Sequence, residues 1–113
     1  MKKTEKPWGY ELLFALTPYY AGKVLFIKKG YRLSLQYHKE KDESFLLWQG
    51  KMLFIYEENG EMKEKIMEPM DSFHIPPGMK HRMAAMEDCY VFEVSTPHLE
   101  DVVRLEDDYG RED

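Results

Sequence analysis

Short apolar runs alternate with brief polar interruptions along this chain, and the glycines and prolines fall in the interruptions. Runs of roughly four to eight residues rich in β-branched and aromatic side chains, bounded by turn formers, predict strands. They are Tyr10 to Leu16, Gly22 to Ile27, Arg32 to His38, Ser44 to Trp48, Met52 to Glu57, Met62 to Met67, Ser72 to Ile75, His81 to Met86, Tyr90 to Ser95 and Val102 to Leu105. Asn59-Gly60 sits between two of them, and this dipeptide readily takes the positive φ angles of a two-residue hairpin turn. Gly50 and the corner Pro76-Pro77-Gly78 mark two further reversals. Only Leu99 to Leu105 fits a helix as well as a strand, so helix content is expected to be low. Many short, closely spaced strands argue an all-β fold of the barrel or jelly-roll kind. With 113 residues and no repeat, linker or low-complexity tract, one domain over 1–113 is expected.

Bulk properties narrow the function. The apolar fraction is 43% with no run long enough to cross a bilayer, and Met1-Lys2-Lys3 is not followed by the apolar stretch of a secretory leader. A cytoplasmic protein is expected. Its formal net charge is −5 with the basic residues dispersed, which argues against nucleic acid as a partner. An anionic small molecule would therefore need a local group of lysines or arginines. The single cysteine, Cys89, lies in the apolar run Cys89-Tyr90-Val91-Phe92, where a buried, inert thiol is expected.

Candidate chemistry begins with the strand around Gln36. Alternate residues of a strand share a face, so Arg32, Ser34, Gln36 and His38 point one way and Leu33, Leu35 and Tyr37 the other. Glu43 follows the polar turn Lys39-Glu40-Lys41-Asp42 and opens another apolar strand, while His81 follows the Pro76-Pro77-Gly78 corner. Two imidazoles, a carboxylate and a carboxamide at strand ends form an N/O donor set suited to one divalent ion such as Mn, Zn, Fe, Ni or Co. His38, Glu43 and His81 without Gln36 make the two-His, one-carboxylate triad of non-haem iron oxygenases.

These spacings resemble the two cupin motifs, G-x5-H-x-H-x4-E-x6-G and G-x5-P-x-G-x2-H-x3-N. The first reads Gly30, Gln36, His38, Glu43, Gly50 over residues 30–50; the second reads Met70, Pro76, Gly78, His81, Ala85 over residues 70–85, without its flanking Gly and Asn. Glutamine in place of the first histidine is similar to the C-terminal cupin domain of type II mannose-6-phosphate isomerases. So are Lys6-Pro7-Trp8-Gly9-Tyr10-Glu11, Arg32-Leu33-Ser34-Leu35-Gln36 and, in an arm over 97–113, Asp101 to Arg111. The resemblance implies a cupin double-stranded β-helix, a metal held by Gln36, His38, Glu43 and His81, and a homodimer formed by strand exchange or sheet edges. It also implies a sugar or sugar-phosphate substrate and aldose–ketose isomerisation. That branch follows the first-motif histidine with His-His-Arg and the glutamate with His-Trp, where this chain has Lys39-Glu40-Lys41 and Ser44-Phe45. The missing histidines favour a third reading beside isomerase and iron oxygenase, a non-catalytic metal- and sugar-binding module.

Two further residues are candidates for catalysis. Glu93 lies in the apolar run Tyr90 to Val94, and turned inward it would be a general base raised toward neutrality by burial. Arg32, if it shares the inward face, meets either an anionic substrate group or a buried acid such as Glu93. His74 and His98 have no ligand spacing, the methionines read as core filler, and Glu106-Asp107-Asp108 reads as a solvated run. Only the family likeness packs that run across the barrel with Arg104 or Arg111 near the site.

Overall fold

The computed structural model describes residues 1–111, so the last two residues of the arm expected over 97–113 lie outside the described residues. It contains eleven strands: β1 (Lys2–Lys6), β2 (Gly9–Leu16), β3 (Ala21–Ile27), β4 (Leu35–Tyr37), β5 (Glu43–Gln49), β6 (Met52–Glu58), β7 (Glu61–Met67), β8 (Ser72–Ile75), β9 (His81–Ala85), β10 (Cys89–Ser95) and β11 (Val103–Glu106). A six-stranded sheet runs β1-β2-β3-β10-β5-β8 and a five-stranded sheet runs β11-β4-β9-β6-β7, with antiparallel pairing throughout. This is the expected jelly-roll barrel, and no helix occurs among the described residues.

Each of the ten expected strands is present, nine of them to within one residue at each end; one is much shorter than expected, and one strand appears that was not expected. β1 was not expected, because Lys2-Lys3-Thr4-Glu5-Lys6 has no apolar alternation; it is a sheet edge, paired with β2 from Lys2↔Leu13 to Lys6↔Gly9. The strand expected over Arg32 to His38 narrows to Leu35–Tyr37, leaving Arg32 in an isolated bridge to Ala84. The hairpin between β6 and β7 turns at Asn59 (φ 53°) and Gly60 (φ 79°), as the dipeptide predicts. Gly9 marks a close approach of backbones: a Cβ there would fall 1.9 Å from the Phe26 carbonyl oxygen.

The barrel has a dry end and a wet end, and both are written on the same strands. On β10 the inward residues run Cys89, Val91, Glu93, Ser95; on β5 they run Leu47, Phe45, Glu43 in the opposite direction. The apolar members meet Ile27, Met52, Phe54, Met67 and Ile75 in one buried cluster. The polar members gather at the other end, where they build the site. Phe54 is fully buried and touches Phe45 and Phe73 at ring distances of 5.0 and 4.8 Å. Truncation of such a side chain costs about 3–5 kcal/mol.

The C-terminal arm closes over the wet end. β11 pairs with β4, and Asp108 is held between Arg32 (2.6 and 2.9 Å) and Arg82 (3.2 Å), while the Tyr109 hydroxyl donates to the Arg32 carbonyl (2.9 Å). Asp107 pairs with Arg111, so the acidic run is engaged rather than free in solvent.

Cys89 is fully buried, and burial pushes its thiol up to about 11. Iodoacetamide at pH 8 is expected to leave the native protein unmodified for hours and to label it within minutes in denaturant, followed by intact mass. Rapid labelling of native protein would contradict this packing.

Candidate metal centre

Three donors reach one point from three chain segments. His38 directly follows β4, Glu43 opens β5 and His81 opens β9, and all three are buried. Their ligand atoms lie within 4.8 Å of one another. Glu43 Oε1 is 3.2 Å from His38 Nε2 and 3.4 Å from His81 Nε2. Two ligands each about 2.1 Å from an ion stand roughly 3.0–3.4 Å apart at octahedral to tetrahedral angles, so these separations suit a shared ion.

The orientation of each imidazole is fixed from behind. His38 Nδ1 donates to the Asp101 carbonyl (2.5 Å) and His81 Nδ1 to the Met79 carbonyl (2.9 Å). A carbonyl only accepts, so the proton sits on Nδ1 and the Nε2 lone pair faces Glu43. His38 Nε2 is buried with no hydrogen-bond partner among the described residues, whereas Glu43 Oε2 already has the Lys41 ammonium 3.0 Å away. An orphaned acceptor such as this nitrogen is costly in a packed interior, and a cation on the Oε1 side would satisfy it.

Asp101 does more than accept from His38. Its carboxylate takes the backbone N–H groups of Lys39 (3.0 Å), Glu40 (2.7 Å) and Lys41 (2.8 Å). Partial burial works to raise this carboxyl, but the three N–H groups outweigh it and hold the pKa down at about 2. One arm residue thereby grips both a ligand and the loop leading to the next. The sequence signal was present in the arm's family-like segment, but nothing local connects Asp101 to residue 38.

Lys41 is the other residue that the sequence reading missed. The turn Lys39 to Asp42 was expected to be solvated, and Lys39, Glu40 and Asp42 are exposed. Lys41 instead turns inward, 6% exposed, with Nζ 3.0 Å from Glu43 Oε2, out of hydrogen-bonding alignment, and 3.0 Å from Glu93 Oε2. Burial works against its charge, yet Glu93 and Glu43 raise the ammonium above its usual range. Burial likewise works to raise Glu43, but His38 and His81, in the ion-free state where Nε2 carries a proton, and Lys41 outweigh it and hold that carboxyl well below the usual range. Glu93 faces inward beside Lys23 of β3, and burial, reinforced by the Glu43 charge, raises it to about 7.

Gln36 is the register partner of His81, and its Oε1 accepts from Ser34 Oγ (2.6 Å). It lines a cavity of about 110 Å³ together with His38, Lys41 and Glu93. Lys6, Lys23, Arg104 and Arg111 also line this cavity beside the acids Glu11 and Asp101; Lys6 and Lys23 reach Glu11 (4.0 and 3.4 Å) and Arg111 is paired with Asp107, so basic residues outnumber acidic ones there. Arg32 does not line this cavity. Outside the regular strand its guanidinium turns to Asp108, 44% exposed, and the buried acid Glu93 is paired by Lys41 instead. His74 and His98 are at the surface, bonded to Asp42 (2.6 Å) and Thr96 (2.9 Å).

The model of the family described as mannose-6-phosphate isomerase C-terminal matches residues 1–107. No curated protein matches the sequence. Among solved structures, KdgF from Halomonas sp. superposes with a TM-score of 0.77 at 20% identity, covering 87% of this chain and 89% of that one. The capsular polysaccharide assembling protein CapF from Staphylococcus aureus gives 0.78 at 22% identity over 93% of this chain. Oxalate decarboxylase from Bacillus subtilis gives 0.79 at 18% over 92%. This chain spans only 32% and 30% of those last two. At such identities the likeness speaks for the fold, the cupin double-stranded β-helix. With the family pattern running through both sheets and the site they enclose, the chain belongs to the mannose-6-phosphate isomerase C-terminal family of cupins.

Proposed function

We propose that this protein binds one divalent transition-metal ion through His38, Glu43 and His81, with Gln36 as a fourth donor, and isomerises an anionic sugar such as a sugar phosphate. The observation that carries the reading is the spacing of Glu43 Oε1 from both Nε2 atoms, 3.2 and 3.4 Å, with each imidazole locked from its far side. When bound, the ion supplies a Lewis acid that polarises a sugar carbonyl or hydroxyl. Lys23, Arg104 and Arg111 bind the anionic group in the cavity. Glu93 shuttles the proton between adjacent carbons; a carboxyl near 7 is half deprotonated at neutral pH, which suits a base that must also return its proton.

The departures from the isomerase branch weigh less in three dimensions than along the chain. Where that branch has His-His-Arg, Lys39 and Glu40 are exposed, and only Lys41 faces the interior. It keeps the cationic character of the arginine at that place. This favours an enzyme over the non-catalytic module, and an isomerase, unlike an iron oxygenase, needs no oxygen.

Three measurements test the reading. His38→Ala and His81→Ala are each expected to lose most of the bound metal by elemental analysis while remaining folded; unchanged metal content would refute the site. Protein loaded in turn with Mn, Zn, Ni, Co and Fe(II) is expected to convert mannose 6-phosphate to its ketose. Glu93→Gln should then lower kcat by about 10²–10⁴, and no turnover with any ion would exclude this isomerase activity. Asp101→Ala is expected to weaken metal binding about 10–100-fold by calorimetry. Because Asp101 is depressed to about 2 from 3.8, its stabilising contribution is complete above pH 4 and is lost as the pH falls toward 2. Denaturant midpoints of wild type and variant should therefore converge over that window.

A further inference from the structure

Two hairpin tips of this chain contrast sharply. Between β6 and β7, Glu58 pairs with Glu61 and the tip is Asn59-Gly60, exposed and with both φ angles positive, as a tight hairpin favours. Between β1 and β2, Lys6 pairs with Gly9 and the tip is Pro7-Trp8, neither of which has a positive φ. Here the bulky tip residue folds inward, and Trp8 is only 3% exposed. Departures from local preference gather where a protein acts.

The tip is held firmly. Proline presets its own φ, the Lys28 N–H donates to the Trp8 carbonyl (2.9 Å), and Gly9 lies too close to the Phe26 backbone to carry a side chain. Trp8 belongs to the apolar cluster with Leu25 and Ile27, and it also lines the cavity beside the metal centre. It therefore stands at the boundary between the dry core and the wet end. An indole suits such a place, with an apolar body and one N–H that ordinarily finds an acceptor when buried. Among the described residues none accepts from it, yet its nitrogen is not sealed from water. A donor so deeply placed, unpartnered and open to a cavity is aimed at what the cavity holds.

We propose, on the sugar-phosphate reading of this cavity, that the Trp8 indole N–H donates to an uncharged oxygen of the sugar, its ring oxygen or a hydroxyl. Lys23, Arg104 and Arg111 are charged and serve the anionic group. Leu25 and Leu33 pack with Trp8 and line the cavity with it, and beside them an ion is costly to desolvate whereas a neutral oxygen needs one donor. Trp8 thus reads the body of the ligand and not its charge. A deoxy analogue lacking that oxygen would leave the N–H unpaired after its water is displaced, which is how a buried donor discriminates.

The chain has two tryptophans, and Trp48 is exposed, so Trp48→Phe leaves the Trp8 indole as the one such N–H cross-peak in a nitrogen–proton correlation spectrum. Titrating zinc-loaded protein with mannose 6-phosphate is expected to move that cross-peak, and inorganic phosphate is expected to leave it in place. Trp8→Phe keeps the aromatic body and removes the donor. It should weaken mannose 6-phosphate binding about 10-fold by calorimetry and leave the affinity for inorganic phosphate, the zinc content and native circular dichroism unchanged. The cross-peak requires no change at Trp8, so it decides the matter whether or not that variant folds. Mannose 6-phosphate binding with the cross-peak unmoved, or inorganic phosphate moving it as far, would overturn the role of Trp8 and leave the sugar-phosphate reading intact. No binding of mannose 6-phosphate to protein with its zinc in place would overturn that reading, and the role of Trp8 with it.

Discussion

A carboxylate 4% exposed to water has to be matched by positive charge or by donors, and the architecture of the wet end follows from how Glu43 is matched. Its Oε1 faces two Nε2 atoms that carry lone pairs rather than protons, and its Oε2 faces an ammonium. Without an ion or added protons on the Oε1 side, three acceptors confront one another at 3.2 and 3.4 Å. A divalent ion there would turn that repulsion into coordination, and the two backbone carbonyls behind the imidazoles keep the arrangement from relaxing in another way.

Lys41 extends the same logic inward. It links Glu43 to Glu93, so that of two buried acids one lies far below its ordinary range and the other near neutrality. Environments that push two carboxyls apart separate a permanent anion from a proton carrier. The separation rests on geometry. Glu93 lies on β10 beside Lys23 of β3, deeper in low dielectric, while Glu43 collects the imidazoles and the ammonium at the strand mouth.

The sequence made the barrel legible because period-two alternation and turn chemistry are local properties. Glu58-Asn59-Gly60-Glu61 and the Pro76-Pro77-Gly78 corner are where the chain reverses. β1 escaped because an edge strand is selected for charge, which erases the apolar signal. The triad was legible because cupin spacing is itself a local pattern. Asp101 and Lys41 were not, for different reasons. Asp101 acts across 63 positions through a main-chain carbonyl, which any residue possesses. Lys41 sits in a run of charges that looks solvated, and only the fold shows that one of the four turns inside. Arg32 turns to Asp108 because strand parity does not reach it: the regular strand begins only at Leu35.

The grip of the arm on His38 bears on the order of events during synthesis. Chains fold as they emerge, from the N-terminus onward, yet the carbonyl that aims this imidazole belongs to residue 101 and the second imidazole to residue 81. A nascent chain ending anywhere before the arm holds Glu43 with one or both imidazoles unaimed. The donor set that suits an ion is therefore complete only once the arm has been made, and a chain shortened before it would carry the same side chains without their aim.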